Sequence, residues 1–314
     1  MTAPLKQTHA QEAAGTDVFE AQRPRLLRLA YRMLGSFAEA EDIVQDAWLR
    51  WRQVDPATVQ SPPAFLSQIV TRLCLDHMKS ARARRETYVG TWLPEPLIEA
   101  EMAPDQDDLT LTLMLALERL SPLERAAFLL HDVFGVALDE VATTLKRDAA
   151  AVRQLAVRAR NHVQAARPRF PVAPEEGTRI AEAFFAATRS GDVEGLRAML
   201  AENVVIHSDG GGKVHAFRNP IVGLARVLRL YGGLKRKLGV RHDEAFHALR
   251  IDGLPGYISH ERDGVLQTTA LEIEDGRIVA VYITRNPDKL QRVNEAVIPG
   301  REPPQSRANL SHSN

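Results

Sequence analysis

Five titratable side chains in the last third of the chain, His207, Asp209, His215, His247 and His260, are of types that could abstract a proton from a bound substrate. Their spacing fixes no pairing among them, and a lone histidine in a strand is more often a satisfied core residue than a catalyst. Asp209-Gly210-Gly211-Gly212-Lys213 resembles a phosphate loop only in outline. Its six-residue frame is incomplete, and Val214 stands where a serine or threonine is needed, so it reads as a tight turn. Cys74 is the single cysteine, which excludes a disulfide framework and a thiolate zinc site. It sits in an apolar stretch and reads as a buried, inert thiol. No catalysis, cofactor or metal is expected. A second kind of chemistry is better supported. Gln154 and Arg158 can match the edges of adenine and guanine in a major groove, and Arg147, Arg153 and Arg160 lie near them with charge for phosphates.

The bulk charge hides this signal. Lys and Arg number 40, Asp and Glu number 40, and the formal net charge is zero. The charges are segregated, however: acids crowd 39–46 and 95–108, bases 72–85 and 146–169. Exposed charges further apart than a Debye length are screened, so local charge decides phosphate contacts. A hydrophobic content of 45% supports well-formed cores. The N-terminus lacks a basic start followed by an apolar run, and no stretch is long enough to span a bilayer. The expected compartment is the cytoplasm, with no membrane partner.

The elements that must position these residues follow from periodicity. Leu27, Ala30, Tyr31 and Leu34 form an i, i+3, i+4, i+7 stripe that Gly35-Ser36 ends, with Ser36 able to cap the next helix. In that helix Ala40, Ile43, Val44, Ala47, Trp48 and Trp51 make an apolar face. Glu39, Asp42 and Asp46 share another side, either a solvated face or a docking surface for a basic partner. A third helix buries Leu66, Ile69, Val70 and Leu73 and carries Arg72, Lys79 and Arg82, which can track a phosphate backbone. Further on, Ser121-Pro122 opens a helix bearing Leu123, Ala126, Ala127, Leu130 and Phe134. A short helix (Leu138, Val141, Ala142, Leu145), a turn at Lys146-Arg147-Asp148 and a longer helix burying Val152, Leu155, Ala156, Ala159 and Val163 read as a helix-turn-helix. The last helix leaves Ala150, Gln154, Val157, Arg158 and Asn161 opposite its core side.

Tyr31-Arg32-Met33-Leu34-Gly35-Ser36 followed by Ala40 to Leu49 resembles the polymerase-binding segment of extracytoplasmic-function (ECF) sigma factors, and Ala64 to His77 resembles their promoter-melting helix. Asp139 to Ala142 and Ala151 to Arg160 resemble the −35-reading module of the same family. The resemblance implies that Glu41, Asp42, Asp46 and Trp48 contact the β′ clamp of RNA polymerase core, with the β flap as a further part of the core that the chain meets. It also implies that the loop from Asp55 through Ser61 to Pro63 captures a base flipped from the −10 element, since a paired base hides the edges to be read.

From Thr178 two helices (to about Leu200) precede strand-like runs at 203–207, 245–251, 256–261, 266–273 and 278–283, an α+β cup with an antiparallel sheet. This part is similar to SnoaL-like domains. Trp92 to Pro96 (with Pro94), Asp209 to Lys213, and Asn286-Pro287-Asp288-Lys289 resemble features of ECF sigma factors of the SigJ type, which carry a fused SnoaL-like domain. That resemblance implies a regulatory role for the extension, with the Asp209 and Asn286 motifs near the linker. The expected organisation is multidomain. An all-α domain at 15–86 is joined by a linker (87–108) to a second all-α domain with the helix-turn-helix (109–167). A linker (168–177), a cone-shaped α+β domain (178–291) and a disordered tail (292–314) follow. Promoter DNA, polymerase core and a small ligand in the cup are the expected partners. A ligand-sensing helix-turn-helix regulator acting without polymerase is the alternative.

Overall fold

The computed structural model describes residues 4–86, 88–98, 111–166, 172–239, 247–261 and 263–297. The first domain is three helices, α1 (Pro4–Leu34), α2 (Phe37–Trp51) and α3 (Pro62–Glu86). α1 starts well before the expected boundary at residue 15 and carries Pro24 in its interior. Ser36 caps α2 by accepting a hydrogen bond from the Glu39 amide. Trp51 is fully buried, and its indole N–H donates to the Gly15 carbonyl at 2.8 Å, anchoring the N-terminal half of α1.

The second domain runs through α4 (Leu111–Glu118), α5 (Pro122–Phe128), α6 (Leu138–Leu145) and α7 (Ala149–Ala166). Ser121 and Glu124 form a reciprocal capping box with Pro122 in the first turn of α5. The helix then widens into a π-turn over Leu129–Val133, which periodicity alone did not indicate. Lys146 ends α6 in the left-handed region at φ 52°, making the tight corner before α7.

The two helical domains share one core. A single buried cluster joins Leu26, Met33 and Leu66 to Ala126, Leu130 and Val152. Polar contacts cross the same seam. Arg125, only 1% exposed, donates to the Met33 carbonyl and to Glu118, each at 2.7 Å. Arg25 lies 5.4 Å from the centre of the Phe134 ring.

The C-terminal domain begins with α8 (Pro174–Ser190) and α9 (Val193–Met199). Pro174 opens α8, so the expected linker 168–177 is cut short at its C-terminal end. Strands β1 (Leu200–Asp209), β2 (Ile221–Val222), β3 (His247–Ile251), β4 (Leu254–His260), β5 (Leu266–Glu274) and β6 (Arg277–Thr284) form one sheet in the order β2-β1-β6-β5-β4-β3. The sheet is mixed rather than antiparallel: β1 runs parallel to β6. Helix α10 (Leu224–Leu238) and the short β2, absent from the sequence reading, pack beside β1.

Alternation along β6 sets the layering from Ala280 onward, and a register shift between Ile278 and Ala280 turns Ile278 to the helix side. Ile278, Val281 and Ile283 join Phe184, Leu196 and Val227 beneath the helices. Ala280 and Tyr282 point the other way and pack with Leu93 of the linker and Leu111 of α4. The tail expectation is corrected at its start, because residues from 291 to 297 form α11 (Gln291–Val297). Val293 there is fully buried with Leu290, Ile98 and Ile258, and this apolar anchor orders the segment. The rest of the expected tail lies outside the described residues.

Lys146 holds a left-handed conformation that costs a side-chain-bearing residue about 1 kcal/mol relative to glycine. Lys146→Gly should therefore raise the unfolding free energy extrapolated from urea titration by about 1 kcal/mol, with a higher midpoint. A lower midpoint would show that the corner carries no such strain.

Candidate nucleic-acid interface and linker latch

On α2, Asp42 and Asp46 are exposed while Ala40, Ile43, Val44 and Ala47 are buried, so the helix divides as its pattern requires. Glu41 is half exposed and lies 3.6 Å from Arg292 of α11, whose guanidinium stacks 3.7 Å from the Phe37 ring centre. Glu39 does not join the exposed pair but turns to His77 of α3 at 3.1 Å. Trp48 is partly buried, with its ring 5.0 Å from that of Phe19.

The loop after α2 is shaped by Asp55, which caps the short 3-10 turn Pro56–Thr58 by accepting from the Ala57 amide at 3.0 Å. Asp55 and Ser61 are exposed. A cavity of about 470 Å³ lies behind this loop, lined by Val59, Ser61 and Phe65 on one side and by Leu130, Val136 and Glu140 of the second domain on the other. Arg72 reaches across the same seam to the Thr144 carbonyl at 3.4 Å, rather than standing free on α3. Lys79 is exposed beside Asp76. The Arg82 side chain lies outside the described residues.

α7 presents Arg153, Gln154, Val157, Arg158 and Asn161 to solvent, and Arg147 is exposed on the turn before it. Arg158 is paired with Glu124 at 2.8 Å, and the Arg160 Nε with Asp132 at 2.9 Å. Both pairs have one well-exposed member, so they are weak and can be exchanged for other anions.

The three motifs singled out in the C-terminal part and the linker meet at one point. Asp209, with no exposed surface, accepts from the Leu93 amide at 2.9 Å, the Tyr88 hydroxyl at 2.5 Å and the Lys289 ammonium at 2.8 Å. Lys289 also donates to the Leu93 carbonyl and sits 4.2 Å from the centre of the Trp92 ring. Asn286 donates to the Tyr88 hydroxyl at 3.0 Å and caps the turn Pro287–Lys289. Gly211 has φ +63°, and a Cβ there would strike the Asn286 side chain at 2.5 Å; Gly210 is buried beside it. Lys213 pairs with Asp288 across the rim.

The same segment is gripped from the helical side. Glu95 accepts from the Phe37 amide at 2.7 Å and its own amide donates to the Gly35 carbonyl. Burial pushes the Glu95 carboxyl above the usual range, an effect opposed by the amides of Phe37 and Ala38 and the hydroxyl of Ser36. Gly35, at φ +72°, leaves room for Trp92, whose ring a Cβ would meet at 2.5 Å. Pro94 is buried. Asp252 and Tyr31, whose roles the sequence did not reveal, complete the grip: the Tyr31 hydroxyl bonds to the Glu95 carbonyl (2.9 Å) and to Asp252 (3.2 Å).

The titratable set in the C-terminal domain does not converge. His207 stacks on Tyr282 at 5.3 Å, and Asp209 is committed to the linker, whereas His215 lines the cup on the other side. His260 is exposed, and the His247 side chain lies outside the described residues. Among the described residues there is no metal-type cluster and no helix long and apolar enough to cross a membrane.

Residues 18–84 match the Sigma-70 region 2 family and residues 110–163 the Sigma-70 region 4 family. The fold and these two matched regions define a sigma-70-class promoter-recognition factor. The chain is 37% identical over 290 residues to the ECF RNA polymerase sigma factor SigJ of Mycobacterium tuberculosis, covering 86% of this chain and 91% of the relative. It is 30% identical over 280 residues to the SigI protein of the same species, covering 87% of this chain and 93% of the relative. The crystal structure of SigJ superposes with a TM-score of 0.70 at 34% identity, covering 88% of this chain and 98% of the other. This chain belongs to the ECF RNA polymerase sigma factors, in the group with a fused SnoaL-like domain. The family consists of initiation factors rather than enzymes, and a regulator acting without polymerase is not favoured.

Removing the Lys289 ammonium leaves Asp209 buried without its cation, a loss on the order of 3–5 kcal/mol for a buried pair. Lys289→Met should speed hydrogen exchange of the Leu93 amide at least tenfold, and adding Asp209→Asn should restore part of the protection. Unchanged exchange in the single variant would show that the linker is held by its apolar contacts alone.

Proposed function

We propose that Glu41, Asp42, Asp46 and Trp48 form the contact with the β′ clamp of RNA polymerase core, that the second helical domain also meets the β flap, and that the face from Arg153 to Arg160 reads the −35 element. Gln154 and Arg158 are the base readers, with Arg147, Arg153 and Arg160 on phosphates. The loop holding Asp55 and Ser61 takes the flipped −10 base, while Arg72, Lys79 and Arg82 follow the melted strand. The observation that carries this reading is that the acid face of α2 and the polar face of α7 both lie outside the shared core on one chain. The proposed compartment is the cytoplasm, where the polymerase works.

The fused domain is the proposed regulator, and its cup the proposed seat of a small ligand. Two contacts support a restraining role. Arg292 occupies Glu41 in the proposed clamp contact, and the second domain walls the cavity behind the capture loop. Engaging both promoter elements then requires the latched linker to yield and the helical domains to part. Lys289→Met should raise run-off transcription with core enzyme several-fold; equal or lower output would remove the restraint from the proposal.

The docking and reading surfaces are separately testable. Asp42→Lys with Asp46→Lys reverses two exposed charges facing a basic partner and should weaken core binding at least tenfold in a pull-down titration. Gln154→Ala should cost about 1–3 kcal/mol in promoter discrimination by holoenzyme. Normal assembly of the first variant or unaltered base preference of the second would displace these residues from the roles given.

A further inference from the structure

We infer that the cup of the C-terminal domain is a binding site for a small amphipathic organic anion, with an apolar ring system inside and its carboxylate or sulfonate at the rim. The inference rests on the cup-ligand part of the proposed function and names the ligand's class. The cavity encloses about 520 Å³, well within the usual span for small-molecule sites of about 300–1,000 Å³. Phe217, Leu230, Leu234 and Ile283 supply apolar wall. Two buried phenols, Tyr231 and Tyr257, add flat surface with a polar edge.

The charges in the wall divide into two groups. Arg189 is held by both oxygens of Glu261 (2.7 and 3.2 Å), and Arg285 by both oxygens of Asp263 (2.7 and 2.9 Å). The first pair is a two-nitrogen fork and the second shares one guanidinium nitrogen between both carboxylate oxygens; each neutralises its own charge and leaves no surplus at that part of the described lining. Lys235 and Lys237, on the last turn of α10, are the remaining charges of the lining, both positive. Lys235 donates to the Gly191 carbonyl at 3.2 Å, and among the described residues no carboxylate forms an ion pair with either amine. A ligand that fills the apolar interior therefore meets positive charge at the rim that no described carboxylate pairs, which favours an anionic end group over a neutral one of the same shape.

The occupied cup would also touch the latch. Arg285 directly precedes Asn286, its amide donates to the Asp209 carbonyl at 2.7 Å, and its guanidinium holds the His215 carbonyl at 2.5 Å. Both residues line the cavity, so the wall that senses the ligand is the chain that presents Asp209 and Asn286 to the linker.

The test uses the purified full-length chain without polymerase, so a failure of the promoter reading cannot imitate a failure here. Naphthalene-2-carboxylate and its neutral isostere naphthalene-2-carboxamide are titrated by calorimetry at low salt. The carboxylate should bind at least tenfold more tightly. Lys235→Glu with Lys237→Glu should abolish that preference while leaving binding of the carboxamide unchanged, and Leu234→Trp, which plugs the mouth, should abolish binding of both probes. Equal or tighter binding of the amide would overturn the ligand class while leaving the cup as a site. Failure of both probes to bind at millimolar concentration would overturn the cup reading with it. Carboxylate binding that survives Leu234→Trp would overturn the location.

Discussion

Asp209 has no exposed surface, so its charge must be satisfied by the protein alone. A carboxylate in that position needs several donors, and it recruits three from two distant parts of the chain: Tyr88 and the Leu93 amide from the linker, and Lys289 from the segment after β6. The linker is thereby seated on the sheet of the fused domain. Because Glu95, two residues further on, is bonded to the start of α2, the same seat fixes the first helical domain against the third. The arrangement of the molecule follows from this one buried charge and the short peptide it captures.

The helical domains are joined by a different means. Their cores are continuous, and the polar groups at the seam, Arg125 and Arg25, donate to backbone carbonyls or nearby acids, with the Arg25 guanidinium also lying over the Phe134 ring. Apolar burial is non-directional, whereas these guanidiniums accept only one mutual orientation. The capture-loop cavity is bounded on both sides because of that orientation.

Much of this was legible from residue types. Helix boundaries at Ser36, Ser121 and Lys146 follow from capping and turn chemistry, which is local and so survives without tertiary information. The exposed face of α7 followed from a 3.6-residue period. The mixed sheet was not legible, because alternation records which face a residue occupies but not the direction of the neighbouring strand. Helix α10 was missed because Gly232 and Gly233 interrupt its pattern in the middle, and α11 because its apolar anchors are only Leu290 and Val293. Tyr31 was placed correctly in a core stripe, yet its bonds to Glu95 and Asp252 span separations of 64 and 221 residues, which no local pattern encodes. The segment Trp92-Leu93-Pro94-Glu95-Pro96 reads in sequence only as part of a linker, because its burial shows only once both surfaces that cover it exist.

The polar character of the latch is itself informative. A buried ion pair returns little net stability, since desolvating both charges offsets most of their attraction, and an apolar replacement of equal shape often holds as well. What the pair supplies is discrimination. The Lys289 ammonium is divided among one carboxylate oxygen, one carbonyl and the faces of Trp92 and Tyr88, so shifting the linker by a residue would leave the ion pair intact but take from Asp209 its Leu93 and Tyr88 donors and from Lys289 its carbonyl. A seam of leucines could accept the peptide in several registers. This seat accepts one, and because its two charges are rehydrated when the peptide leaves, the penalty for opening is smaller than the number of contacts suggests. Such a balance suits a contact that must be specific when made and still be broken.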